Sequence, residues 1–333
     1  MTADMRPVLA YLVTNGFLEA GTPVRAARLT GGVSAETVLV EAGDNRLVVK
    51  RTLGKLLVDA DWTAKPERAM TEAAAIRLLS KYSPQHVPEL RYADPSRNTL
   101  VMRAAPADWV NWKAVLMGET ADPSRGVWSV AARLGGLLGT WHRRTWHDAD
   151  VARRFRDDEA FEQLRLAPFH RTVAERHPDV AKSVDLCAEE LRDGRHCLVH
   201  GDFSPKNVLV GAEGLMVLDF EVARVGAPVF DVAFMQTHLA LKALHRPAEA
   251  ADIAAAAAAF LWSYRERAGA AADDELRGLG AHVACLLLAR VDGLSPAAYL
   301  GAPTADALRL LALEALTDQW SIGTLWQRIQ ETV

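Results

Sequence analysis

At 333 residues, half of them hydrophobic, the chain can bury a large core, and its length suggests two domains or lobes. A net charge of −4 and a pI near 6.2 give no reason to expect a nucleic-acid partner. The three cysteines, Cys187, Cys197 and Cys285, are scattered without a C-x-x-C pair and read as reduced thiols. The N-terminus carries no secretory pattern, and the longest apolar run, residues 253–262, is too short to span a bilayer. The expectation is a cytoplasmic protein with no membrane partner. Charge is divided unevenly: residues 1–103 hold 14 Lys/Arg against 11 Asp/Glu, and the remainder 24 against 31, so the two parts net +3 and −7. A basic part suits a polyanionic nucleotide, an acidic part a neutral or cationic substrate, and ordinary surface composition explains the split equally well.

Residues 5–17 place apolar groups at helical spacing and stop at Asn15-Gly16, a helix-ending signal. From Val24 the period becomes strand-like. Segments 24–30, 37–42 and 47–51 are separated by Gly31-Gly32-Val33-Ser34 and Gly43-Asp44-Asn45, both turn-formers. At Gly31, Gly32 and Ser34 backbone amides can approach phosphate oxygens with no side chain in the way. Lys50 ends the third strand and needs a carboxylate to hold it. Glu72, on an amphipathic helix over 67–81, supplies one, whereas Glu67 is better placed to stabilise that helix's N-terminus. Residues 51–65 read as a loop. Segments 88–93 and 98–103 add two strands, completing a five-stranded antiparallel sheet with one main helix, and 102–106 leaves the sheet without periodicity.

Helices are then expected over 109–117, 127–146, 157–170, 172–177 and 180–192. In the second, Gly135, Gly136 and Gly139 allow a neighbour to pack closely. The chain next reads His200-Gly-Asp-Phe-Ser-Pro-Lys-Asn207, followed by apolar segments 207–210 and 215–218 around Gly-Ala-Glu-Gly. Such a pattern is a hairpin. A hairpin returns on itself, bringing Asn207, which enters it, beside Asp219, which leaves it. Two hard oxygen ligands side by side, with Asp202 nearby, suit a magnesium ion that also takes phosphate oxygens. Asp202 sits where a hydroxyl nucleophile would arrive. Glu221 either reaches the metal through water or lies near the acceptor, and Asp231 reads as a helix N-cap that ties down the loop. Further helices are expected over 253–267, which holds six consecutive alanines, 274–290 and 304–329.

The motif H-x-D-x-x-x-x-N with a following Asp219-Phe-Glu resembles the catalytic and metal-binding loops of the aminoglycoside phosphotransferase and choline kinase-like family. The resemblance runs in order along nearly the whole chain. It implies an α+β, bilobal protein kinase-like fold, with residues 1–103 as a nucleotide-binding lobe and 104–333 as a larger, mostly helical catalytic lobe. It also implies ATP-dependent transfer of the γ-phosphoryl group to a hydroxyl of a small molecule. By that resemblance Asp202 orients the acceptor hydroxyl, Asn207 and Asp219 hold Mg²⁺, and Lys50, braced by Glu72, positions the α- and β-phosphates. Gly31, Gly32 and Ser34 would approach the phosphates. Met102 and Ala104, in the hinge between lobes, would hold the adenine edge through the backbone. His200 would fix the loop, and Lys206 is a candidate for a further phosphate contact. The stretches Val87-Pro-Glu-Leu-Arg-Tyr, Met117-Gly-Glu-Thr and Gly226-Ala-Pro-Val-Phe-Asp231 are similar to methylthioribose kinase-like members, which tend to lack the asparagine that stands here as Asn207. The implied acceptor is a sugar-like or amino-containing alcohol, such as an aminoglycoside, another sugar-containing antibiotic, or a metabolite. A protein kinase is disfavoured, because only eleven residues lie between Asp219 and Asp231, too few for a long peptide-docking segment.

Overall fold

Alternation of apolar and polar groups builds the N-terminal part. The computed structural model describes residues 5–29, 34–55, 63–124, 126–212 and 214–332. The chain divides into two compact units, Met1–Ala107 and Asp108–Val333. In the first, helix α1 (Arg6–Thr14) precedes strands β1 (Arg25–Arg28), β2 (Ala35–Ala42) and β3 (Asn45–Thr52). Helix α2 (Arg68–Leu79) and strands β4 (Leu90–Asp94) and β5 (Thr99–Arg103) complete it. The five strands form the expected antiparallel sheet, in the order β1-β2-β3-β5-β4. Gly43 turns the β2–β3 hairpin at φ 58°, a conformation that costs glycine least. Val38, Val40, Leu47, Val49 and Val101 pack from the sheet against Tyr11 and Leu12 of α1. Because side chains alternate across a strand, Lys50 points away from that cluster, on the side of the sheet where α2 carries Glu72.

The second unit is mostly helical. It opens with β6 (Val110–Asn111) and the helices α3 (Trp112–Leu116), α4 (Val127–Arg144), α5 (Ala149–Arg154) and α6 (Glu159–Phe161). A π-helix (Glu162–Arg171), α7 (Thr172–Arg176) and α8 (Ala181–Asp193) follow. Strand β7 (Cys197–Val199), the hairpin β8 (Val208–Val210) and β9 (Leu215–Val217), and β10 (Arg224–Gly226) carry the central loop. Helices α9 (Val229–His245), α10 (Ala250–Ala268), α11 (Ala270–Asp274), α12 (Leu279–Asp292), α13 (Ala302–Thr317) and α14 (Ile322–Thr332) complete the unit. All residues of α9 but its last are buried, so this helix forms the axis of the core. Helices α4 and α10 touch closely: a Cβ on Gly135 would stand 2.1 Å from the Phe260 carbonyl oxygen, and one on Gly139 2.6 Å from that of Tyr264.

Four segments depart from the sequence reading. Residues 109–117 are not one helix: Val110 and Asn111 pair with Val210 and Leu209. Trp109 instead seats against the hairpin glycines, where a Cβ on Gly211 or Gly214 would lie 2.3 Å from its ring. Residues 157–170 wind mainly as a π-helix around Pro168, which lacks the amide a regular turn requires. The segment 304–329 is two helices, broken around Gln319 at φ 51°, and Gly280 makes room for the Trp320 carbonyl 2.0 Å from where its Cβ would be. Strand β10, pairing with β7, carries too few residues for periodicity to reveal it.

Candidate active site

In the first unit, Lys50 Nζ stands 2.6 Å from Glu72 Oε2, with both side chains buried. Strand β3 is central, flanked by β2 and β5, which fixes the lysine's backbone on both sides. Arg68, at the start of α2, is buried and donates to the carbonyls of Ala64, Lys65, Ser34 and Leu53. It thereby pins the residue that ends the glycine turn. Gly31 and Gly32 lie outside the described residues. Met102 pairs with Val48 and Leu90 in the sheet, and the Ala104 amide donates to the Arg46 carbonyl at 2.9 Å.

In the second unit the loop from His200 to Asn207 is held from three directions. Its start is held by Asp231, whose carboxylate accepts from the His200 amide at 2.6 Å and the Gly201 amide at 2.9 Å. Asp231 is fully buried and is itself positioned by His142 Nε2 at 3.3 Å, which in turn faces the Tyr264 hydroxyl at 3.0 Å. The carboxylate lies inside α9, after the N-cap position occupied by Pro228, so it clamps the loop without capping its own helix. Gly201 takes φ 75°, and a Cβ there would meet the Val222 carbonyl oxygen at 2.7 Å. The end of the loop is held by Asn111, whose side-chain amide donates to the Lys206 carbonyl at 2.6 Å while its oxygen caps α3.

The third hold is His200 itself. Its Nδ1 accepts the Asp202 amide at 3.1 Å, so Nε2 carries the proton and donates to the Leu218 carbonyl at 3.0 Å. Burial keeps this imidazole below its ordinary pKa, against the pull of Asp231, Asp202 and Asp219. A neutral ring with one donor and one acceptor thus ties the loop to the far strand of the hairpin. Asn207 completes the join: its side-chain amide donates to the Asp202 carbonyl at 3.0 Å, and its backbone carbonyl accepts from the Leu218 amide at 2.8 Å. The pairing of Val208 with Val217 places Asn207 opposite Leu218, one residue from Asp219. Asp219 adopts φ 70°, unusual for a residue with a side chain.

Asp202 is buried, and one carboxylate oxygen, Oδ2, takes two cations: Arg165 at 3.0 Å and Lys206 at 2.9 Å. Burial alone would raise its pKa, but these two neighbours outweigh burial and hold the carboxyl below the usual carboxylate range. Arg165 has no counterpart in the sequence reading. Its Nε donates to the Gly201 carbonyl at 2.6 Å and its Nη1 to the Leu164 carbonyl at 2.7 Å. The guanidinium is thereby locked between the π-helix and the loop.

The donor set fits a divalent cation. The amide end of Asn207 is committed to Asp202, which leaves its side-chain oxygen as the end available to a metal, and the hairpin register sets its backbone opposite Leu218, next to Asp219 in the chain. Two hard oxygens are the ligand type magnesium takes from protein.

The pattern of the phosphotransferase enzyme family matches residues 25–270. Methylthioribose kinase of Geobacillus kaustophilus is 25% identical over 260 residues, covering 72% of this chain and 66% of the relative. Methylthioribose kinase 2 of Oryza sativa is 25% identical over 256 residues, covering 66% of this chain and 60% of the relative. The chain thus spans just under two thirds of the length of these curated relatives. Among solved structures, choline kinase of Cryptosporidium parvum superposes with a TM-score of 0.59 at 11% identity, over 95% of this chain and 97% of that one. An amicoumacin kinase bound to AMP-PNP and Ca²⁺ gives 0.56 at 15% identity, over 95% and 96%. The fold is the protein kinase-like one shared by these proteins, and the chain belongs to the phosphotransferase enzyme family.

Proposed function

We propose that this protein is a magnesium- and ATP-dependent small-molecule kinase that phosphorylates a hydroxyl of a sugar-like or amino-containing acceptor. In the step itself, the acceptor oxygen bonds to the γ-phosphorus as that phosphorus parts from the β,γ-bridging oxygen. ADP leaves, and the hydroxyl proton passes to the Asp202 carboxylate or to solvent. The observation that carries the reading is the fusion of loop and hairpin: Asn207 holds the Asp202 backbone with its side-chain amide while its backbone carbonyl pairs with Leu218. Base and metal ligands are therefore parts of one rigid piece.

Each residue has a separate task. Asp202, kept ionised by Arg165 and Lys206, accepts the hydroxyl's hydrogen bond on the oxygen those cations leave open. Asn207 and Asp219 would hold Mg²⁺, which when bound screens the charge between the β- and γ-phosphates. Lys50, fixed by Glu72, would bind the α- and β-phosphates, with Gly31, Gly32 and Ser34 covering them. Met102 and Ala104 would meet the base through their backbones; the Ala104 amide is engaged by the Arg46 carbonyl, and among the described residues its own carbonyl has no partner. Similarity to methylthioribose kinases supports a sugar-like acceptor. An ATP-consumption screen across aminoglycosides, nucleoside antibiotics, sugars and amino alcohols tests the reading. Turnover with one class, lost in Asp202→Ala, is expected; turnover that survives Asp202→Ala would overturn it. Protection of a sensitive host across an antibiotic panel separates a resistance kinase from a metabolic one.

A further inference from the structure

Asp219 and several basic groups surround Asp202. Arg165 and Lys206 are already paired with it. Three further cations come from three other elements: Lys113 from α3, Lys242 from α9 and Arg290 from α12. Among the described residues none of the three is in an ion pair. Lys242 is almost fully buried, at 1% exposure, yet its ammonium meets only uncharged groups. These are the Tyr299 hydroxyl at 3.1 Å and His238 Nδ1 at 3.3 Å.

Arg290 donates through Nη1 to Ser295 at 2.9 Å, while its buried Nε has no partner among the described residues. It feels both Asp202 and Arg165, and His238 feels Lys242, Arg290, Lys206 and Lys113, so the groups share one neighbourhood. Burial, then the repulsion of Arg290 and Lys113, pushes the Lys242 ammonium down to about 7. Burial keeps the His238 imidazole neutral and pushes the Tyr299 phenol up to about 12, so neither supplies negative charge. The Lys242 ammonium, with that lowered pKa, readily sheds its proton when no anion is near, and an anion from outside the chain would hold it charged and be held in turn. Lys113, Arg290 and Tyr299 are only half-buried, which leaves an approach from solvent.

We propose that Lys113, Lys242 and Arg290 receive an acidic group of the acceptor, a carboxylate or a phosphate ester, so that the substrate is an anionic alcohol. This rests on the kinase reading and narrows it. The −7 of residues 104–333 would favour a cationic acceptor, but that net charge is a sum over the whole unit, and among the described residues no carboxylate stands at ion-pair distance from Lys113, Lys242 or Arg290. With the acid group seated on the three cations, the acceptor's hydroxyl extends toward Asp202.

Two measurements test it. The first needs no catalysis: the melting temperature of the nucleotide-free protein is followed with lactate, glycerol 3-phosphate, glycerol and choline. Lactate or glycerol 3-phosphate should raise it, glycerol and choline should not, and the rise should vanish in both Lys242→Met and Arg290→Gln. A rise that both variants keep, a rise with choline alone, or no rise with either acid overturns the proposal. The second is transfer kinetics on glucose, gluconate, glucose 6-phosphate, glucosamine and any acceptor found by the screen. The best acceptor should be acidic, and each variant should raise its KM about tenfold or more, with the effect on the acceptor's KM and not on ATP's. An equal rise in the KM for ATP would assign the cations to the nucleotide instead. Transfer confined to neutral or cationic acceptors overturns the proposal while leaving the kinase reading intact. An anion-dependent melting shift with no transfer to any acceptor would fail the kinase reading, and with it the assignment of the anion as acceptor.

Discussion

Asp202 and its neighbours divide labour in a way that substitution can separate. Asp202→Asn removes the base but preserves shape, so transfer should fall by about 10² to 10⁴-fold with nucleotide affinity nearly unchanged. Comparing kcat with the dissociation constant for ATP checks this. Asp231 carries no chemistry, yet two buried amides depend on it. Asp231→Ala should cost about 2 kcal/mol or more in chemical denaturation, because buried donors lose their acceptor. Lys50→Met removes the ammonium that Glu72 faces at 2.6 Å, and should lower stability as well as weaken ATP binding, as denaturation and nucleotide titration read. At this scale the sequence was informative where spacing is local. Asp202, Asn207 and Asp219 lie on one loop and one hairpin, and turn chemistry fixes their relation. Arg165 and Arg290 lie on separate helices at no set distance from Asp202 along the chain, so only packing brings them near it.

The α4–α10 contact offers a sharp pair of tests among the elements. Gly135→Ala would drive a methyl group to 2.1 Å from the Phe260 carbonyl, and the helices must part. The helix-propensity gain of about 1 kcal/mol is smaller than the overpacking cost of about 1–3 kcal/mol, so net destabilisation is expected. At Gly136 the nearest atom to a new Cβ is a flexible Arg267 carbon at 3.7 Å, so Gly136→Ala should stabilise by up to about 1 kcal/mol. Thermal melts of the two variants decide the matter. The contact matters beyond stability, because it seats His142 against Tyr264 and so steadies Asp231. Glycine spacing on α4 and the alanine run of α10 signalled close packing in the sequence, but not that these two helices are each other's neighbours. The π-helix was not, since one proline among helix-forming residues leaves the winding undetermined. Strands β6 and β10 were not either, as two and three residues cannot display a period.

Buried histidines set how the whole molecule responds to acid. Burial lowers His170 to about 3, and lowers His200 and His238 as well, while His282 is raised by Glu190 despite burial. A histidine held neutral in the fold but free to protonate when unfolded stabilises fully above pH 6.5. That contribution is lost as pH falls toward its folded pKa, by up to about 1.4 kcal/mol per pH unit each. His282 acts in the opposite sense, stabilising below pH 6.5, so three losses face one gain. Stability should fall as the pH drops from about 6.5 toward 5, and His170→Leu should flatten that slope by about one proton's worth, as read from urea unfolding at several pH values. Among the described residues no helix is long and apolar enough to cross a membrane. The most direct test of the account is calorimetric titration of ATP with and without Mg²⁺ into the wild type, Asp202→Ala and Asp219→Ala. Mg²⁺ should tighten binding to the first two and have no effect on the third, while both variants lose transfer. Magnesium-dependent binding and turnover undiminished in Asp219→Ala would contradict the assignment of this hairpin as the metal-bearing part of a kinase.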